Sequence, residues 1–192
     1  MLHGRGADEN DLFELAPAVD PVFAIASVRA PLTTDEGGYT WSKSRSVGRA
    51  IPQSLRESIT WFRSWLTALD RERAEPQQVF LMGFSAGMAM AAALVLDEPS
   101  RFGGAILLSG TLPFDTDVPI TKNRLNGVPI FHGHGSFDTV IPADLITRTD
   151  EYLSNNSGAV LTDRRYLIAH QISEDVIRDF TKWLMRYLAT IK

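Results

Sequence analysis

Val79-Phe80-Leu81-Met82-Gly83-Phe84-Ser85-Ala86-Gly87-Met88-Ala89-Met90 is the stretch on which the fold turns. Four apolar residues in a row suit a strand buried on both faces. Glycines two positions either side of Ser85 suit a sharp turn, and the Ala- and Met-rich run continuing to Leu96 suits a helix buried on most sides. A strand feeding a helix through a tight turn is half of a crossover unit, and the rest of the chain repeats the theme. Short apolar runs at 22–28, 105–108 and 128–131 fit further buried parallel strands. Another, at 160–168, is interrupted by Asp163, Arg164 and Arg165 and fits a partly exposed strand near an edge. Between 52 and 69, Leu55, Ile59, Phe62, Leu66 and Leu69 share one helix face. Ser173, with Glu174 and Asp175 behind it, is a candidate N-cap for a last helix carrying Val176, Ile177, Phe180, Leu184, Tyr187, Leu188 and Ile191. Residues 31–51 and 111–127 show no period and read as polar surface loops. The alternation predicts a three-layer α/β/α sandwich with a mostly parallel sheet, one domain over residues 1–192.

Composition narrows the chemistry. At 44% hydrophobic and 22% charged residues, the 192-residue chain matches an ordinary globular domain. A net charge of -4, with no Lys/Arg cluster on one helix face, gives no footprint for nucleic acid. The absence of cysteine excludes disulfides, a thiolate nucleophile and sulfur-ligated zinc. The N-terminus lacks a basic stretch followed by an apolar segment, so no signal peptide is read there. The longest apolar run, 88–96, is too short to span a bilayer, so no stable membrane insertion is expected and a cytoplasmic location is the default.

Gly83-Phe84-Ser85-Ala86-Gly87 matches G-x-S-x-G in the strand–turn–helix context that such a nucleophile elbow needs. A plain glycine-rich turn with a surface serine is the bland alternative. A serine hydroxyl is a weak nucleophile and needs a base oriented by a carboxylate, the acid and then the base following in chain order. His132 and His134 come too early to follow an acid, whereas His170 follows the last strand and precedes the last helix. Asp138, in the loop after the 128–131 run, is the favoured acid. Asp115, Asp117, Asp144, Asp150 and Asp163 compete, as loop, cap or strand residues.

Five ordered motifs carry a resemblance: Leu2-His3-Gly4-Arg5-Gly6-Ala7-Asp8-Glu9, the elbow, Leu108-Ser109-Gly110-Thr111-Leu112-Pro113, the run from His134 to Pro142, and Ala169-His170-Gln171-Ile172. Together they resemble the carboxylesterase/phospholipase family of α/β-hydrolases, which includes the acyl-protein thioesterases, over nearly the whole chain. The resemblance implies an α/β-hydrolase fold without a large lid, no cofactor and no metal. It makes Ser85, Asp138 and His170 a catalytic triad and the N–H groups of Arg5 and Ala86 an oxyanion hole, leaving His3 structural. It also implies Trp41 near the acyl site and Leu112 and Ile141 as pocket walls, where ordinary core packing is the equal alternative. Ala86 stands where members often have Gln, and Ala169-His170-Gln171-Ile172 where Gly-His-Glu-Ile is common.

The resulting expectation is a serine carboxylesterase for short to medium acyl chains, its partner a small-molecule ester. The alternatives are a thioesterase or lysophospholipase, or a degenerate hydrolase that only binds ligand. Members of the family have a strand or more before Leu-His-Gly, and this chain starts there. The expectation is therefore an oxyanion loop short of its usual anchor and an open edge or apolar slot beside the 22–28 strand, an edge that favours a homodimer.

Overall fold

The computed structural model describes residues 1–19, 23–72 and 78–191. Its elements run β1 (Leu32–Thr33), β2 (Tyr39–Thr40), β3 (Ser44–Ser46), β4 (Arg49–Ala50), α1 (Pro52–Arg71), β5 (Val79–Phe84), α2 (Ala86–Asp97), β6 (Phe102–Leu108), β7 (Pro129–Gly135), α3 (Ala143–Glu151), β8 (Val160–Tyr166) and α4 (Glu174–Ile191). A short 3-10 segment, Leu12–Ala18, precedes them, and a turn of π-helix, Tyr152–Asn156, extends α3.

The main sheet has the order β5-β6-β7-β8 and every pairing in it is parallel. Side chains of successive strand residues point to opposite faces, so each strand feeds two cores. Leu81, Ala105, Leu107 and Ile130 join α1 and α2 on one side. Met82, Ile106, Leu108 and Phe131 meet Phe180, Trp183 and Leu184 of α4 on the other. This is the three-layer α/β/α arrangement of an α/β-hydrolase, and its double burial explains why β5 and β6 read as unbroken apolar runs. β8 lies at the edge, where its charged residues are exposed.

Local chemistry sets the helix ends. Pro52 opens α1, a position where a proline loses no hydrogen bond. Leu55, Ile59, Phe62 and Leu66 form its buried face. α2 is buried almost throughout, from Gly87 to Leu96, and Arg124 caps its end by donating from Nε to Leu96 O and from Nη2 to Asp97 O, both at 2.7 Å. Ser173 precedes α4, but its Oγ makes no hydrogen bond; only its carbonyl serves the helix, accepting from Ile177 N–H at 3.0 Å. Leu188 and Ile191, expected on the apolar face of α4, have side chains outside the described residues.

Two expectations need correction. Residues 23–27 form no strand: among the described residues the segment's ladder contact is the parallel bridge from Val28 to Leu2, beside a hydrogen bond from the Met1 ammonium to Ala26 O at 2.7 Å and the Phe23 ring against Phe80; Val22 lies outside the described residues. A strand needs a continuous neighbour to take its hydrogen bonds, and only Met1 and Leu2 lie alongside here. Leu2 bridges to Gly83 on its other side, donating to Met82 O at 2.8 Å and accepting from Phe84 N–H at 3.2 Å. Below that bridge, the apolar slot is present: a cavity of about 200 Å³ lined by Val28, Trp65, Leu66, Phe80 and Met82 among others. Residues 31–51 are not a bare loop either. They hold two antiparallel ribbons, β1-β2 and β3-β4, turned by Gly37, Gly38 and Gly48 with positive φ. Strands this short carry no readable period-2 pattern, which is why the sequence hides them.

Candidate active site

Ser85 sits between β5 and α2 with φ 56° and ψ -117°, a backbone state disfavoured for any side chain. Holding it there costs of order 1–3 kcal/mol, supplied by the surrounding structure. The flanking glycines make the turn possible. A Cβ on Gly83 would fall 2.1 Å from Gly87 O, and one on Gly87 would fall 1.9 Å from Leu2 O. No side chain fits at either place.

His170 and Asp138 arrive from the loops after β8 and β7. His170 Nε2 lies 2.9 Å from Ser85 Oγ, and His170 Nδ1 lies 2.8 Å from Asp138 Oδ2. The second contact places the proton on Nδ1, so Nε2 faces the hydroxyl as acceptor. Asp138 Oδ1 accepts from the N–H groups of Val140 at 2.8 Å and Ile141 at 3.1 Å, which fixes the carboxylate's rotation. Burial pushes the Asp138 carboxyl up, but the hydrogen bonds from His170, Ile141 and Val140 outweigh it and hold it below the ordinary carboxylate range. The imidazole lies against the Phe84 ring at a centroid distance of 5.0 Å, a support that a sequence reading has no means to place. The competing aspartates are engaged elsewhere: Asp115 and Asp144 with Arg49, Asp117 with Arg56, Asp150 with Arg165, and Asp163 with His132.

Ala86 is the first residue of α2, where helix N–H groups have no partner within the helix and favour negative charge. The loop carrying Arg5 runs beside Ser85, since a Cβ on Gly4 would stand 3.6 Å from Ser85 Cβ. That loop is tied down on both sides, contrary to the expectation of a lost anchor. Leu2 is held by β5 as described, His3 Nε2 accepts from Ala30 N–H at 3.1 Å, and Gly6 N–H donates to Tyr39 O at 2.9 Å. Trp41 Nε1 donates to His3 O at 2.8 Å. Trp41 is thus buried beneath the loop, between His3 and Phe62, and braces it. Tyr39 of β2 and Trp41 just after it supply this anchorage. Leu112 and Ile141 are also buried, the N–H of the first donating to Thr149 Oγ1 at 3.2 Å and that of the second to Asp138 Oδ1.

Among the described residues, His132, Asp150 and Asp163 bring donor atoms within 4.8 Å of one another. Arg165 already provides the positive charge there, contacting Asp150 and lying 3.8 Å from Asp163. No helix of the described chain is long and apolar enough to cross a membrane.

A model of the family described as Phospholipase/Carboxylesterase matches residues 1–188. Acyl-protein thioesterase 1 of Candida albicans is 31% identical over 208 residues, spanning 96% of this chain and 89% of that protein. The protein of the same name from Saccharomyces cerevisiae is 30% identical over 122 residues, 60% of this chain and 52% of its own length, so the match spans about half of that relative. Among solved structures, the carboxylesterase of Bacillus cereus superposes with a TM-score of 0.85 at 21% identity, covering 97% of this chain and 86% of that one. That of Mesorhizobium loti gives 0.83 at 22%, covering 96% and 86%. At these identities the structural likeness concerns the fold.

Proposed function

The chain belongs to the phospholipase/carboxylesterase family of α/β-hydrolases, an esterase and thioesterase lineage, and from that premise we propose that it is a serine hydrolase cleaving carboxylic esters of short to medium acyl chains through an acyl-enzyme. The observation that carries the reading is the unbroken hydrogen-bonded line from Ser85 Oγ through His170 to Asp138 at the tip of a strained elbow. In this mechanism Ser85 Oγ attacks the ester carbonyl carbon while its proton passes to His170 Nε2. Asp138 steadies the imidazolium through Nδ1–H. The N–H groups of Ala86 and Arg5 hold the oxyanion of the tetrahedral intermediate. Collapse of that intermediate breaks the bond to the leaving alkoxide, which takes the proton from Nε2. Water then attacks the acyl carbon, giving its proton to His170, and the acid departs as Ser85 recovers its own.

Trp41 acts in this scheme as the brace of the oxyanion loop, while Leu112 and Ile141 shape the acyl pocket from behind. The short-to-medium preference rests on ribbons and loops, rather than a large insertion, occupying 31–51 and 111–127. A thioester substrate is the second reading, favoured by the relatives named acyl-protein thioesterase. The triad chemistry is the same for either leaving group. A series of p-nitrophenyl esters from acetate to palmitate, run beside an acyl thioester and lysophosphatidylcholine, tests the choice. The proposal expects the highest kcat/KM on the short- and medium-chain esters. Preference for the long-chain ester, or for the thioester by more than tenfold, would move the assignment.

A further inference from the structure

His134 is the one histidine beside the proposed triad that the reaction scheme leaves idle. It lies on β7, its side chain is 1% exposed, and its Nε2 stands 3.2 Å from Asp138 Oδ2, the oxygen that also meets His170 Nδ1. Neither ring nitrogen of His134 is in line for a hydrogen bond at rest. A buried imidazole with both nitrogens unmatched is costly, and such groups call for an explanation. Of the carboxylates around it, Asp138 alone among the described residues lies within 4 Å of one of its ring nitrogens. The groups facing it are His132 two residues earlier on β7, Arg165 paired with it on β8, Asp150 from α3, and Asp138. Asp150 meets Arg165 through Oδ2 and His132 gives its Nδ1–H to Asp163 at 2.8 Å, while Asp150 Oδ1 and His132 Nε2 have no hydrogen-bond partner of their own. Asp138 Oδ2 is the acceptor in reach, at 3.2 Å, and contacts made in catalysis are commonly long or poorly aligned before substrate binds.

We propose that His134 is a positioning residue for the acid: its Nε2–H swings onto Asp138 Oδ2 as His170 takes up the serine proton, and holds the carboxylate in the plane of the imidazolium. The inference rests on Asp138 being that acid. Charge explains the choice of residue. A lysine or arginine here would cancel the carboxylate's charge, which the imidazolium needs, whereas a neutral imidazole donates without cancelling it. Burial keeps His134 neutral, pushing it down to about 4. Oδ1 is already fixed by Val140 and Ile141, so a second donor on Oδ2 completes the clamp.

The test compares His134→Leu, His134→Gln and His134→Asn with Asp138→Asn on p-nitrophenyl acetate. A glutamine amide reaches the place of Nε2, while an asparagine amide reaches only that of Nδ1. His134→Leu and His134→Asn should lower kcat about 10- to 100-fold, the loss of a hydrogen bond to a charged group, with KM within about threefold. In both, the acid limb of kcat/KM should move to lower pH, because the imidazolium is less well stabilised, and His134→Gln should restore rate and limb. If the leucine variant does not fold, the Gln/Asn pair carries the test. Equal rates and an unmoved limb in all variants, or an equal fall in Gln and Asn with a lowered Tm, would overturn the proposal. If Asp138→Asn itself leaves turnover intact, it is the triad reading that fails, and the two failures are told apart.

Discussion

Gly87→Ala adds one methyl group at the point where the elbow and the oxyanion loop touch. The new Cβ would meet Leu2 O at 1.9 Å, Leu2 C at 2.5 Å and His3 O at 2.6 Å, all backbone atoms with no rotamer to yield. Real Cβ atoms essentially never come closer than 3.0 Å, so Leu2 must retreat by 3.0 - 1.9 = 1.1 Å or α2 must shift by as much. Either movement strains the two hydrogen bonds that lock Leu2 to Met82 and Phe84 and carries Gly4 and Arg5 away from Ser85. Overpacking of this kind costs about 1–3 kcal/mol, offset by about 1 kcal/mol from the better helix propensity of alanine. The kinetic cost is larger. Displacing a catalytic donor by about 1 Å is worth roughly 100-fold, and losing one oxyanion donor 100- to 1,000-fold. Urea melts should therefore show a loss of no more than about 2 kcal/mol, while kcat on p-nitrophenyl acetate falls at least 100-fold with KM changed much less. A variant that keeps kcat within threefold of the parent would refute the placement of the oxyanion loop against the elbow.

Asp138→Asn should lower kcat by roughly 10³–10⁴, whereas Asp115→Asn and Asp117→Asn, which break exposed pairs with Arg49, Arg148 and Arg56, should change it little; steady-state kinetics on the three proteins checks this. Trp41→Phe removes the donor to His3 O and should cost about 1–3 kcal/mol in urea denaturation while lowering kcat more than it raises KM. Stability should also fall in acid. His134 is held near 4 when folded against an ordinary 6.5, so the unfolded chain binds its proton first; the contribution is complete above pH 6.5 and is lost as pH falls to about 4. The span amounts to about 3 kcal/mol, and urea melts at pH 7 and 4.5 should show a shallower loss in His134→Leu than in the parent.

Much of this fold and site is legible in the sequence. The glycine spacing about Ser85 encodes the turn because no Cβ is sterically possible at Gly83 or Gly87, and steric necessity shows in sequence. The parallel strands β5 to β7 announced themselves through double burial, and the charges of β8 announced an edge. Order along the chain singled out Asp138 and His170, which the fold brings to Ser85. What stayed hidden depends on pairing in three dimensions. The 22–28 run is apolar enough for a strand, yet strand formation is a property of its neighbours, and its described residues 23–28 have one bridge. The ribbons of 31–51 are too short for a period. Trp41 is placed near the acyl site by the family resemblance, with core packing the equal alternative, and the sequence has no way to show that its N–H meets the His3 carbonyl. His134 precedes the acid and so does not qualify as the base, and that order is what lets the strand end bring it to Asp138, four residues later.

Fluorophosphonate labelling followed by intact and peptide mass measurement tests the central claim most directly, since the reagent needs both an activated serine and a formed oxyanion hole. The account predicts one adduct per chain, located on Ser85, absent in Ser85→Ala and slowed by orders of magnitude in His170→Ala. A parent protein that stays unlabelled, or an adduct on another serine that survives Ser85→Ala, would contradict it.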